Sequence, residues 1–346
     1  MKTVTVTCQL ITPLFMYGAT KEPEIRASSI KGLLRYWWRM FHYDGNVESL
    51  KDLKEKEEKI FGSTNGRSPV QIRVKKIIQK FARNNEFPQK NIEKKDGLNY
   101  LFYFMKAGQN VKKSYIKEGG KFEIEFRYKE EEIAKEYLEA LNWLQKFGGM
   151  GSRNRRGAGN FKILDISGDE GFKNKLDRCL IVDFENRSIN HIYNNEICKD
   201  KVSVYRFKNE QKDDCKGEQK NKKETELEDK WIEVLNALGK KYKDFRDVKK
   251  NYIYKRFQSE RKAIFGVPII GKPKTDKVTK IKRMESPLIF KVIEVEKEKY
   301  ECIVIRVHSS PLEREDELKV ENKSIIDLFL QSDDFEKIYE VKEVDK

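Results

Sequence analysis

Thr3, Thr5, Thr7 and Gln9 alternate with Val4, Val6, Cys8 and Leu10, a period of two that predicts a first strand with one wet face. The spacing then lengthens. Ile30, Leu33, Leu34, Trp37, Trp38 and Phe41 fall at i, i+3, i+4, i+7, i+8 and i+11, which predicts a helix from Ile30 to about His42. Ser28 and Ser29 stand before it as candidate N-caps. Alternation returns at Val70, Ile72 and Val74, in Leu98–Met105, and more cleanly at Phe122, Ile124, Phe126 and Tyr128. A second helix is expected where Ile133, Tyr137, Leu138, Leu141, Trp143 and Leu144 line one side, and Phe161, Ile163 and Ile166 read as a closing strand. The order β-α-β-β-α-β is the ferredoxin-like unit, so residues 1–168 are expected to form one such module.

The pattern restarts less cleanly after Gly168. Cys179–Phe184 and Val202–Phe207 are strand-like, Trp231–Tyr242 is helical, and Leu288–Val295 with Tyr300–Val307 form a strand pair. Ser324–Leu330 and Phe335–Tyr339 are expected to be C-terminal helix. Residues 208–230 carry almost no apolar side chains, the composition of a solvated insertion. The expectation is an α+β protein: residues 169–346 form a second ferredoxin-like (RRM-like) module carrying a helical, charge-rich insertion over about 208–262. A separate helical lobe is the alternative for that central region.

Between the second helix and its following strand lies Gly-Gly-Met-Gly-Ser-Arg-Asn-Arg-Arg-Gly-Ala-Gly, residues 148–159. Gly149 and Gly151 sit beside Arg153, Arg155 and Arg156, with no acidic residue among them. Glycine lets backbone come close to a ligand, and arginine forks match phosphate oxygens. A solvated turn needs a single C-cap glycine, so the loop reads better as an anion site. It is not a small-nucleotide fingerprint: Asn154 stands where G-x-G-x-x-G needs its third glycine, no Gly-Lys-Ser/Thr follows, and a helix rather than a strand precedes it.

The first helix adds to this. Lys31, Arg35, Arg39 and His42 fall within a sector roughly 80° wide beside its apolar face. Like charges one turn apart repel unless a bound anion, or acidic groups elsewhere in the fold, answer them. Gly32 in mid-helix is consistent with backbone or ligand approaching there. Arg26, Lys282 and Arg283 are further basic groups at element boundaries. The chain of 346 residues has 72 Lys+Arg against 57 Asp+Glu, a formal charge of +15 that favours a polyanionic partner. Because 37% of residues are charged, mostly Lys and Glu, part of that excess matches the ion-pair habit of hyperthermophile proteins.

Other chemistry is thin. The five cysteines are scattered without a Cys-x-x-Cys pair, and His42, His191 and His308 lie too far apart for a zinc motif, so no metal or cofactor is expected. No serine–histidine–acid order stands out. The first residues lack the apolar run of a signal peptide, and no stretch is long enough to span a bilayer; a cytoplasmic protein with no membrane partner is expected.

Three stretches together resemble the RAMP superfamily of CRISPR-associated proteins, and more narrowly the family of first subunits of the Cmr (type III-B) effector complex. They are Ile11–Ala19 continuing through Pro23–Arg26 and Ser28–Arg39, then Ile60-Phe61-Gly62-Ser63, then the loop Gly148–Gly159. Phe265-Gly266-Val267-Pro268 and Arg283–Leu288 are a weaker echo. The resemblance implies a non-catalytic subunit that holds guide RNA and target RNA near the guide 3′ end, beside other RAMP subunits, with cleavage carried by a different subunit. It also implies that Arg153, Arg155 and Arg156 touch phosphates and that Lys31, Arg35 and Arg39 extend the surface. Two rivals stand beside it: a guide-processing endoribonuclease using His42, and an architectural subunit that docks its basic face on an acidic protein neighbour.

Overall fold

The computed structural model describes residues 1–78, 81–83, 96–103, 114–168, 189–193, 201–208, 230–247, 265, 285–308 and 324–339. The chain forms two compact units, residues 1–89 with 108–198, and residues 90–107 with 199–346.

In chain order the first half gives β1 (Lys2–Leu10), α1 (Ala27–His42), α2 (Leu50–Phe61), β2 (Gln71–Ile78), β3 (Phe81–Arg83) and α3 (Asp96–Leu101). It continues with β4 (Ser114–Ile116), β5 (Lys121–Tyr128), α4 (Glu131–Phe147) and β6 (Phe161–Gly168). The main sheet of this unit is antiparallel with order β2-β5-β1-β6. Taking β1, β2, β5 and β6 as the four strands, that is the order 2-3-1-4 of a ferredoxin-like βαββαβ unit. Val4, Val6 and Cys8 pair with Phe126, Ile124 and Phe122, all buried, and Phe126 packs on Tyr137 of α4 with ring centroids 6.1 Å apart. The opposite face is polar. Thr3, Thr5 and Thr7 lie across from Arg127, Glu125 and Glu123. Lys75 and Arg127 each reach Glu125 at 2.7 Å. The Lys75 hydrogen bond leads, with Arg127 second, in holding that carboxyl below its usual range against the opposing effect of burial.

The second half gives α5 (Ile189–Tyr193), β7 (Val202–Phe207), α6 (Lys230–Arg246), β8 (Leu288–Glu296), β9 (Lys299–Val307), α7 (Ile325–Leu330) and β10 (Phe335–Tyr339). Its antiparallel sheet has the order β10-β7-β9-β8. The elements β7-α6-β8-β9-α7-β10 therefore repeat the βαββαβ plan with the same strand order. Tyr242 of α6 stands edge-on to Phe290 of β8 at 4.9 Å and packs on Phe329 of α7 at 5.7 Å.

Several local expectations change. Helix α1 starts at Ala27 with Arg26 as its N-cap; Ser28 and Ser29 lie in the first turn. The start is set by the preceding chain, where Glu24 N donates to Met16 O (2.9 Å) and Arg26 N to Met16 Sδ (3.4 Å). Residues 98–101 are helix, not strand. Leu98, Leu101 and Phe102 have helical spacing and are buried, and α3 packs on α6 where Gly97 meets Gly239. Asn236 Oδ1 accepts from Leu98 N at 3.0 Å, capping this short helix from outside. Phe335–Tyr339 is an edge strand on β7 rather than helix, because the turn Ser332–Asp334 breaks the chain before it and Phe335, Ile338 and Tyr339 favour extended backbone. Helix α6, expected as part of the insertion, packs on β8 and β9 as the first helix of the second module. Cys179–Phe184 and most of 208–262 lie outside the described residues.

Candidate nucleic-acid interface

The glycine–arginine loop is a packed structure laid on the chain after β1. Ser152 N donates to Phe15 O (2.8 Å), Gly159 N to Pro13 O (2.8 Å) and Met150 N to Gly159 O (2.9 Å). Asn160 is buried; its backbone N donates to Thr12 Oγ1 at 2.9 Å and its Nδ2 to Gly148 O at 3.3 Å. The two glycines singled out in the sequence admit the protein's own backbone. A Cβ on Gly149 would meet Ala158 O at 2.7 Å, and one on Gly151, where φ is +73°, would meet Phe15 O at 2.6 Å. Their contribution is to fix the loop's shape.

That shape presents the arginines. Arg153 adopts φ +62°, and its carbonyl accepts from Arg156 N (2.8 Å) and Ala158 N (3.2 Å), which folds the tip tightly. Arg156 Nη1 donates to Arg155 O at 3.0 Å. Arg155 turns toward α1: its Nη2 donates to Tyr36 OH at 2.6 Å, and its guanidinium carbon lies 5.5 Å from the Tyr36 ring centroid. The loop therefore adjoins the helix that carries the basic stripe, which spacing alone does not establish.

The stripe divides in two. Arg35 Nε donates to Glu57 Oε1 at 2.6 Å, and Arg39 Nε lies 3.6 Å from Glu57 Oε2. Glu57 comes from α2 and its side chain is only 6% exposed. It is the acidic group that answers the stacked charges, so Arg35 and Arg39 have a structural partner. Lys31 has no carboxylate within ion-pair distance among the described residues, and burial, with Arg35 second, pushes its pKa down. It lines a cleft of about 470 Å³ with Ala27, Ser28, Arg67, Ser68 and Gln71, and among the described residues no acidic side chain lines that cleft. The first turn of α1 also has no acidic residue and no side-chain cap, which leaves the positive end of the helix facing the same region.

Arg67 is the basic residue that sequence reasoning missed. It follows the turn in which Ser63 N donates to Gly66 O at 2.9 Å, just past the Gly62 C-cap of α2. A second glycine–arginine turn next to the Ile60–Ser63 stretch was its visible signal. Arg26 is exposed at the N-cap. Lys282 and Arg283 lie outside the described residues.

His42 is tied into the fold. Its ring stacks on Trp38 at 4.2 Å, Nδ1 lies 2.9 Å from Trp38 O, and Nε2 lies 3.7 Å from a Glu136 carboxylate that also accepts from Trp38 Nε1 at 2.7 Å. Trp37 and Trp38 are core residues, 2% and 1% exposed. Among the described residues no group of three or more His, Cys, Asp or Glu is placed to hold a metal ion, and no helix is long and apolar enough to cross a membrane.

Known proteins share this βαββαβ module with its glycine-rich loop ahead of the last strand. The RAMP superfamily model matches residues 7–162, and the chain belongs to that superfamily. Within it the similarity is to Cmr subunit 1 proteins. The chain is 32% identical over 177 residues to the CRISPR system Cmr subunit Cmr1-2 of Pyrococcus furiosus, covering 45% of this chain and 91% of that protein. It is 29% identical over 297 residues to Cmr1-1 of the same organism, covering 82% and 80%. In fold it matches the apo crystal structure of Cmr1 from Pyrococcus furiosus with a TM-score of 0.61 at 24% identity, over 99% of this chain and 100% of that one. A chain from the type III-B Cmr-beta complex bound to cognate target RNA matches with a TM-score of 0.55 at 15% identity, over 89% and 94%.

Proposed function

We propose that the protein is a non-catalytic, RNA-binding subunit of a type III-B CRISPR (Cmr) effector, working in antiviral defence and contacting guide or target RNA near the guide 3′ end. The observation that carries the reading is the Arg155–Tyr36 contact, which seats the arginine loop on the helix whose Lys31 lines a cleft with no carboxylate among the described residues. Binding rests on phosphate neutralisation and tolerates sequence. The polar face of the first sheet supports this. RRM-type recognition stacks bases on exposed sheet aromatics, whereas here that face carries threonines and ion pairs, and Phe122, Phe126 and Tyr128 are buried on the other side. The relatives' names supply the complex, and the other RAMP subunits of that complex are the expected protein partners.

The architectural reading is kept because Glu57 already holds Arg35 and Arg39. Salt titration of the purified protein with labelled single-stranded RNA, checked for cleavage by gel, separates the readings. Neutralising three to four phosphates gives a slope of roughly −2 to −3 in log K against log salt, with the RNA left intact. Cleaved RNA favours an enzyme, and no binding at low salt favours docking on protein.

A further inference from the structure

Three glycines lie inside described helices, and two are explained by close packing. A Cβ on Gly97 would meet Asn236 O at 2.0 Å, and one on Gly239 would meet Gly97 O at 2.6 Å. Gly32, the sixth residue of α1, is different. It is exposed, and apart from its chain neighbours and the backbone of α1 itself no atom of the described residues lies within 4 Å of a Cβ built there. Its backbone is helical with no positive φ, so neither conformation nor packing among the described residues asks for glycine. Glycine is nonetheless the poorest helix former after proline.

What surrounds Gly32 is cationic on both flanks. At about 100° per residue, Arg39 and Arg35 lie within about 60° on one side of it, and Tyr36, holding Arg155, within about 40° on the other. Ser28, one turn earlier, connects the same ridge to the cleft of Lys31 and Arg67. The ridge Ser28, Gly32, Tyr36 is the direct line along α1 from that cleft to Arg155, and a polyanionic strand following it passes over Gly32. A side chain there would hold the strand off the helix and away from both sets of cations.

We infer that Gly32 is the crossing point of the RNA ribose-phosphate backbone over α1, where the absence of a side chain sets how closely the strand can lie. This rests on the RNA-binding reading and adds the path of the strand and a positioning residue that carries no charge. The signature is a variant that folds better and binds worse. Gly32→Ala and Gly32→Gln both place a better helix former in open space, so the melting temperature is expected to rise by about 2–4 °C.

The affinity for labelled single-stranded RNA, measured by anisotropy on the full chain, is expected to fall about threefold for Ala and about tenfold for Gln. The salt slope stays at the wild-type value, since no cation is removed. Lys31→Ala, run alongside, lowers the slope and so reports the RNA-binding reading independently. Wild-type affinity in Gly32→Gln overturns the crossing point while leaving that reading in place. A fall in melting temperature for Gly32→Ala overturns the premise that the site is open. A wild-type protein that does not bind RNA removes the reading and the inference together.

Discussion

Replacing Glu57 with Gln pulls stability and RNA affinity in opposite directions. Glu57 is 6% exposed and takes Arg35, 34% exposed, at Nε–Oε1 2.6 Å, with Arg39 at 3.6 Å and 52% exposed. Breaking a fully buried pair costs about 3–5 kcal/mol, and an exposed pair contributes about 0–1 kcal/mol. A pair with one buried partner and one a third exposed sits between them, so Glu57→Gln is expected to cost about 2 kcal/mol. For a unit of this size that lowers the melting temperature by roughly 4–8 °C. The same change releases two guanidinium groups beside Lys31. One more neutralised phosphate steepens the single-strand salt slope by about 0.7 and makes binding about threefold tighter at 50 mM relative to 200 mM salt. Thermal unfolding and anisotropy titrations at three salt concentrations read both effects on one preparation. A variant that melts earlier yet binds RNA no better than wild type at low salt would refute the reasoning, because Arg35 and Arg39 would then lie off the strand's path.

Changing Arg153, Arg155 and Arg156 together to Ala is expected to flatten the salt slope by about 2; an unchanged slope would remove the loop as the main phosphate contact. Gly97→Ala should destabilise the second unit by about 2–3 kcal/mol in urea unfolding, because its Cβ would meet Asn236 O at 2.0 Å and Lys240 N at 2.2 Å. Burial, with Arg306 second, pushes His308 down to about 4 from 6.5, and its Nε2 lies 2.7 Å from Ser203 Oγ. The unfolded chain then takes up the proton first, so stability is full above pH 6.5 and is lost as pH falls from 6.5 toward 4. His308→Gln is expected to flatten that window, as denaturant melts at about pH 7 and about pH 4.5 would read.

The first module was legible because its elements follow one another along the chain. Val4, Val6 and Cys8 announce a strand, and Ile30 to Phe41 announce a helix, whatever packs on them. What escaped depends on partners far away in sequence. Leu98, Leu101 and Phe102 looked like a strand of the first sheet because nothing local shows that their partner is α6. Phe335–Tyr339 is strand only because β7 lies beside it. Within the site, the arginines were named but their roles were not separable. Glu57 hid in a Lys/Glu run, yet it stands four residues after Leu53 and four before Phe61, on the inward side of α2. That spacing was the available sign of a buried acid facing the basic helix.

Helix α3 makes the second unit depend on residues made early. Gly239 follows its contact Gly97 by 142 positions (239 minus 97). At about 5–20 residues per second of synthesis, α3 waits about 7–28 s for α6 to be made. Through that interval the first sheet can close through β6 while Leu98, Leu101 and Phe102 still lack the surface that covers them. A fragment starting at residue 199 has the converse defect, a groove at Gly239 with nothing to fill it. No single cut in the polypeptide separates two whole units, because the thread passes into the second, returns to finish the first, and only then completes what it began.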